Sequence, residues 1–212
     1  EHTIYKYRNL IELNYETDQA FLSKNNKIKI ITDGKEKFKL LFEDIKNAKQ
    51  YIHIQYYILK KDGIGKQLFS LLEQKLKEGV QVYILYDDIG SRKLSISSLK
   101  NLTDNNAKIK SFFKSRFPLI NFRMNYRNHR KMTIVDNEIL HTGGMNVGQE
   151  YIDGGKRFSS WRDTNARFIG EITAQYLAIF VTDWLNSGGK NDDFSRIIKS
   201  EAVKEIKEQE PI

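Results

Sequence analysis

Residues 128–150 read NHRKMTIVDNEILHTGGMNVGQE, and the fold follows from how this stretch is parsed. Residues 132–135 are apolar and rich in β-branched side chains, which suits a strand. Asp136-Asn137 suits a tight turn, and residues 138–142 suit the returning strand of a hairpin. His129, Lys131 and Asp136 stand at the spacing H-x-K-x-x-x-x-D, and Gly143, Gly144 and Asn146 follow as G-G-x-N. Residues two apart on a strand share a face, so His129 and Lys131 project together. Asp136, at an odd offset, suits anchoring the turn.

An imidazole beside an ammonium fits an anionic phosphodiester: the ring can attack phosphorus while the amine holds a non-bridging oxygen. Gly143-Gly144 allows close backbone approach, and the Asn146 amide can donate to the same phosphate. His and Lys on an exposed strand are ordinary surface taken singly. Together with G-G-x-N they point to a site.

Upstream of the hairpin, residues 28–32 alternate Lys and Ile as a short strand, and Asp33-Gly34 turns into a helix with Phe38, Leu41, Phe42, Ile45 and Ala48 on one stripe. Residues 51–59 predict a strand in which Ile52, Ile54 and Ile58 oppose Tyr51, His53, Gln55 and Tyr57. His53 is expected to be a hydrogen-bonded histidine of the core or sheet face. Ile64, Leu68, Leu71, Leu72 and Leu76 predict the next helix, stopped by Gly79, and residues 80–86 a strand covered on both faces. Strand, helix and strand in so few residues imply a parallel crossover. Asp87-Asp88 follows it, and turn chemistry explains this pair better than a metal does. A short helix near 96–102 and a strand over 107–113 come next. Beyond the motif, residues 163–169 alternate as a strand, and 171–184 form the last strong helix. The expected fold is therefore α/β, a mixed β-sheet flanked by helices on both faces. Residues 1–21 are a lead-in, 22–189 the domain with one motif, and 190–212 a charged linker or tail. No block recurs, so there is no internal repeat.

The formal net charge of +8 resides in residues 105–135, which hold eight basic and no acidic side chains, Arg127 among them. Phe112, Phe113, Phe117, Phe122 and Tyr126 are interleaved with that charge. Such a segment suits an anionic lipid surface or nucleic acid. The absence of cysteine excludes disulfides and thiolate metal sites and fits a reducing compartment. No apolar run approaches the roughly 18 residues a membrane span needs.

The stretch resembles the phospholipase D superfamily, whose HKD signature it matches, and within it the bacterial cardiolipin synthases. Resembling blocks are Asn128-His129-Arg130-Lys131, Thr142-Gly143-Gly144-Met145-Asn146, Trp161-Arg162-Asp163-Thr164, Ile54-Gln55-Tyr56-Tyr57-Ile58 and Tyr86-Asp87-Asp88-Ile89-Gly90-Ser91. The resemblance implies transfer of a phosphatidyl group between phosphatidylglycerol molecules through a phosphohistidine, without metal or cofactor, with His129 as nucleophile or as proton donor. His129, Lys131, Asp136, Asn146 and Asp163 would then form the catalytic set, and Gly143, Gly144, Tyr57 and Arg127 would bind substrate. Asp163 would orient the catalytic His, a task for which Glu150 and Asp153 also remain open. Asn165 departs from the related W-R-D-T-H pattern. Members of the group carry two HKD motifs and this chain has one, so a second half or a homodimer is expected as partner. The place of work would be the cytoplasmic face of the cell membrane, with membrane helices, if any, outside this chain. A single-motif nuclease acting as a homodimer and a silent lipid-binding domain are the competing readings.

Overall fold

The apolar stripes find one another across a single sheet. The computed structural model describes residues 2–112, 127–155, 159–190 and Phe194. Helices α1 (His2–Lys6) and α2 (Arg8–Asp18) lead into β1 (Asn26–Ile31), α3 (Gly34–Asn47), β2 (Tyr51–Tyr56), α4 (Gly63–Lys77) and β3 (Gln81–Asp87). Then come α5 (Ile96–Asp104), β4 (Lys108–Phe112), β5 (Lys131–Val135), β6 (Ile139–Gly143), α6 (Glu150–Asp153), β7 (Asn165–Gly170) and α7 (Ile172–Asn186). The seven strands run in the order β1-β7-β6-β5-β2-β3-β4. β2, β3 and β4 are parallel to one another, and every other neighbouring pair is antiparallel.

Alternation along the strands fills two layers. Ile52, Ile54, Val82 and Ile84 pack under α3 and α4 with Phe38, Leu41, Ile45, Leu68 and Leu72. Tyr83, Leu85, Met132, Ile134 and Leu140 pack under α7 with Leu177, Phe180 and Trp184, joined by Phe194. A mixed sheet with helices on both faces is thus what forms, and β3 is buried on both sides as its apolar run requires. Asp33 caps α3 by accepting from Glu36 N at 2.8 Å, and Asp62 caps α4 by accepting from Gly65 N at 3.2 Å.

His53 departs from expectation. It lies in the α7 layer, fully buried, with the rings of Tyr83, Phe180 and Phe194 at 5.1, 5.2 and 5.7 Å. Among the described residues neither of its ring nitrogens has a hydrogen-bond partner. Burial drives its pKa down to about 3, so the ring is neutral.

The last expected strand starts two residues later than alternation suggests, at Asn165, because Asp163 and Thr164 belong to the turn that meets Gly144. The expectations for Lys114, Arg116, Phe113, Phe117, Phe122, Arg123 and Tyr126, and most of those for 190–212, lie outside the described residues.

Candidate active site

The site forms where the carboxyl ends of β2 and β3 meet the amino end of β5. The antiparallel pairing of β2 with β5 sets Tyr56 opposite Lys131, and Tyr57, one residue beyond Tyr56, falls together with His129, two residues before Lys131. Their rings lie 4.7 Å apart. The His129 ring is exposed, and Lys131 Nζ stands 2.6 Å from its Nδ1 and 3.0 Å from its Nε2. The same amine donates to His129 O at 2.6 Å and lies 5.5 Å from the centre of the Tyr57 ring.

The electrostatics suit a nucleophile. Desolvation, then the positive charge of Lys131, lowers the His129 pKa, opposed by Asp87. The ring is therefore neutral near pH 7, with a lone pair to offer. Desolvation brings the Lys131 amine down to about 8, opposed by the negative charge of Asp163. At neutral pH it is mostly protonated. A phosphate oxygen drawn to this ammonium arrives beside the imidazole.

The loop after β3 fixes Tyr57. Ser91 Oγ accepts from Leu59 N at 2.9 Å and donates to Tyr57 O at 3.0 Å. A Cβ on Gly90 would overlap Tyr57 O. Asp87, absent from the expected site set, accepts from Ile89 N and Gly90 N at 3.0 and 2.8 Å. Its other oxygen is buried without a partner among the described residues, and its charge acts on His129. Among the described residues no group of three or more His, Asp and Glu could hold a metal ion.

Gly143 and Gly144 lie where the chain ahead of β7 comes close. A Cβ on Gly144 would collide with the Asp163 carboxylate, and Gly143 has φ of 149° with Thr164 O and Asn165 against it. Asp163 is thereby placed near Lys131, but among the described residues no hydrogen bond joins it to His129. Its Oδ1 instead takes Thr164 N at 2.7 Å. The other two carboxylates open for that task are engaged elsewhere: Glu150 pairs with Lys60, and Asp153 accepts from Gly155 N and from Gln149 Nε2. Arg127 is half-buried, two residues ahead of His129.

Two expected catalytic side chains are engaged with backbone or side chains away from the His129–Lys131 pair. Asn146 is buried, its Oδ1 accepting from Ile58 N at 2.9 Å and its Nδ2 donating to Tyr151 OH at 2.7 Å. It braces the G-G-x-N turn against the chain leaving β2, a junction Lys37 Nζ also reaches through Asn146 O at 3.4 Å. Asp136 lies at the far end of β5, about 16 Å of strand from Lys131. With φ of 52° at Asp136 and 59° at Asn137 the hairpin turn is left-handed at both positions. Its carboxylate accepts from Lys49, Gln50 and Tyr51 N at 2.8, 2.7 and 3.0 Å. Asp136→Ala is expected to cost roughly 3 kcal/mol in urea unfolding, from three lost charge-assisted bonds and the loss of a polar side chain that tolerates the left-handed region. Reaction at His129, per folded molecule, should stay near wild type. A variant of full stability with reaction lost would instead return Asp136 to the catalytic set.

From His129 a groove of about 380 Å³ runs past Lys131 and Thr142, with Met132, Phe168 and Ile179 as its apolar wall. Asn165 also lines it, with its Oδ1 3.4 Å from Met145 N.

Residues 41–184 match the family model described as cardiolipin synthase, PLD-like domain. The chain is 46% identical over 179 residues to the cardiolipin synthase of Oceanobacillus iheyensis, an alignment covering 84% of this chain and 37% of that protein. With cardiolipin synthase 2 of Staphylococcus epidermidis it shares 44% over 194 residues, covering 92% and 40%. The chain spans about two fifths of the length of the relatives it matches. Among solved structures, NucT from Helicobacter pylori superposes with a TM-score of 0.59 at 16% identity, over 77% of this chain and 98% of that one. The phospholipase D family member Nuc from Salmonella typhimurium gives 0.57 at 19%, over 76% and 96%. At those identities the likeness is one of fold. A signature that places imidazole and ammonium in contact, on this sheet and with these relatives, puts the chain in the family of cardiolipin synthase PLD-like domains.

Proposed function

We propose that this chain is one catalytic half of a phosphatidyltransferase, moving a phosphatidyl group from one phosphatidylglycerol to another through a phosphohistidine on His129. The observation that carries the reading is the exposed, neutral His129 ring with the Lys131 ammonium against its nitrogens. A ring nitrogen forms a bond to phosphorus and the P–O bond to the first head group breaks. Glycerol leaves with a proton from a general acid. The hydroxyl of a second phosphatidylglycerol then attacks phosphorus, the P–N bond breaks, and the hydroxyl proton returns to that acid. Lys131 holds the non-bridging oxygens, and losing such a donor costs on the order of 100-fold in rate.

The acid comes from a second motif, on another half or on a second copy of this chain. The chain alone is therefore expected to turn over little. The reaction takes place at an anionic membrane surface on the cytoplasmic side, to which the basic segment 105–135 is attracted. No helix among the described residues is long and apolar enough to cross a membrane.

The test offers phosphatidylglycerol vesicles and plasmid DNA in parallel, to the chain alone and with a second motif-bearing half. Cardiolipin and glycerol in equal amounts, with DNA intact, is the expected result. Nicked DNA without lipid product would make the chain a nuclease, and vesicle binding with neither product a lipid-binding module.

A further inference from the structure

We propose that Asp183 is a positioning residue for His129, acting through the two side chains that flank it. This rests on the phosphohistidine reading above. Asp183 lies on α7, far from the motif in sequence, and is buried. One of its oxygens, Oδ2, accepts from Asn128 Nδ2 at 2.7 Å, Arg130 Nη1 at 2.7 Å and Gln55 Nε2 at 2.6 Å. Asn128 Oδ1 in turn accepts from Arg130 N at 3.1 Å, closing a short loop of hydrogen bonds around the peptide that carries His129.

The geometry gives the clamp a direction. Extended backbone sends alternate residues to opposite sides. Asn128 and Arg130 turn toward α7, as does Met132, whereas Thr133 bonds Tyr56 in the other layer. His129 and Lys131 share the side of Thr133. Catching 128 and 130 from behind therefore holds 129 in front, against Tyr57. The helix bearing the carboxylate is itself fixed, since Phe180 and Trp184 are fully buried on either side of Asp183. Gln55 carries the tie to β2, the strand that delivers Tyr57. One carboxylate thus references both partners of the His129–Tyr57 contact to the same helix.

His129 is exposed, and among the described residues it is held in front only by Lys131 and the Tyr57 ring. A reacting group displaced by about 1 Å loses on the order of 100-fold in rate. Asp183→Asn keeps the volume but points an amide at three donors. It is expected to lower the rate of phosphohistidine formation about 10- to 100-fold, with the KM for phosphatidylglycerol nearly unchanged, because no substrate contact is lost. The His129 Cε1–H signal in the NMR spectrum of the chain should broaden or split. The exchange Asn128→Asp with Asp183→Asn puts the carboxylate on the other partner, still able to take Arg130 N and the amide introduced on α7. It is expected to restore a single sharp signal and most of the rate.

The imidazole signal reads positioning without any turnover, so it separates this proposal from the transfer reading: a wild-type chain that forms no adduct overturns the latter alone. Asp183→Asn with an unaltered His129 signal and unaltered rate would overturn the clamp. So would a folded double variant no better ordered at His129 than the single one. Should Asp183→Asn alone fail to fold, the double variant decides: a sharp His129 signal supports the clamp, and a disordered one refutes it.

Discussion

Replacing His129 with Gln is expected to lower phosphatidyl transfer by on the order of 1,000-fold or more, the scale reached when a covalent nucleophile is removed. Unfolding should be almost untouched. The ring is exposed, and among the described residues its side-chain hydrogen-bonding partner is Lys131. The amide of Gln can still accept from that ammonium but cannot form a stable bond to phosphorus. Lys131, Tyr57 and the groove all remain, so the variant should keep its affinity for phosphatidylglycerol vesicles. That combination separates a nucleophile from a binding residue: KM holds while kcat collapses. Transfer within a few-fold of wild type would remove His129 from the chemistry and leave a basic α/β module.

The second large effect concerns stability. His53 is buried among aromatic rings with neither nitrogen hydrogen-bonded among the described residues, and its folded pKa of about 3 lies well below the ordinary value of 6.5. Between those values the unfolded chain binds a proton that the folded chain refuses. The stability this group allows is therefore complete above pH 6.5 and is lost as pH falls toward 3. The loss is roughly 1.4 kcal/mol per pH unit, or about 3 kcal/mol by pH 4. His53→Phe keeps the ring in its aromatic surroundings and removes the titration. At pH 7 it should be neutral or stabilising by about 1–2 kcal/mol, since two buried unsatisfied nitrogens disappear. At pH 4 the gap should widen by the further 3 kcal/mol or so. Urea unfolding of both proteins at the two pH values checks this, because carboxylates and His141 titrate alike in each. Equal pH slopes would show that the native state admits a proton at His53.

The sequence is informative wherever function or folding depends on local spacing. The stripe of Phe38, Leu41 and Ile45 predicts α3 and its buried face, and the β-branched run before Asp136-Asn137 predicts the hairpin that the left-handed turn delivers. His129 and Lys131 meet because two residues along a strand share a side. Polar side chains whose partners lie far along the chain carry no such local sign. Asp136 spans 85 residues to Tyr51 N, Asn146 spans 88 to Ile58 N, and Asp183 spans 55 to Asn128 and 128 to Gln55. Asp183 in particular sits on a helix whose visible pattern is its apolar stripe of Ile172, Tyr176, Ile179, Phe180 and Trp184. Its burial against the sheet is a property of where α7 crosses β5 and β2. Asn146 shows the converse: an amide at motif spacing suggests a phosphate ligand, and its oxygen and one of its two N–H groups also serve the backbone N–H of Ile58 and the hydroxyl of Tyr151.

The covalent intermediate is the centre of the account. The direct measurement is intact-mass and peptide mass spectrometry after brief incubation with phosphatidylglycerol vesicles and a denaturing quench at neutral pH. The predicted result is up to one phosphatidyl group per chain, carried on the peptide containing His129, lost on acid treatment as a phosphoramidate is, and absent from His129→Gln. Transfer that proceeds without this adduct, or an adduct found on Lys131 instead, would contradict it.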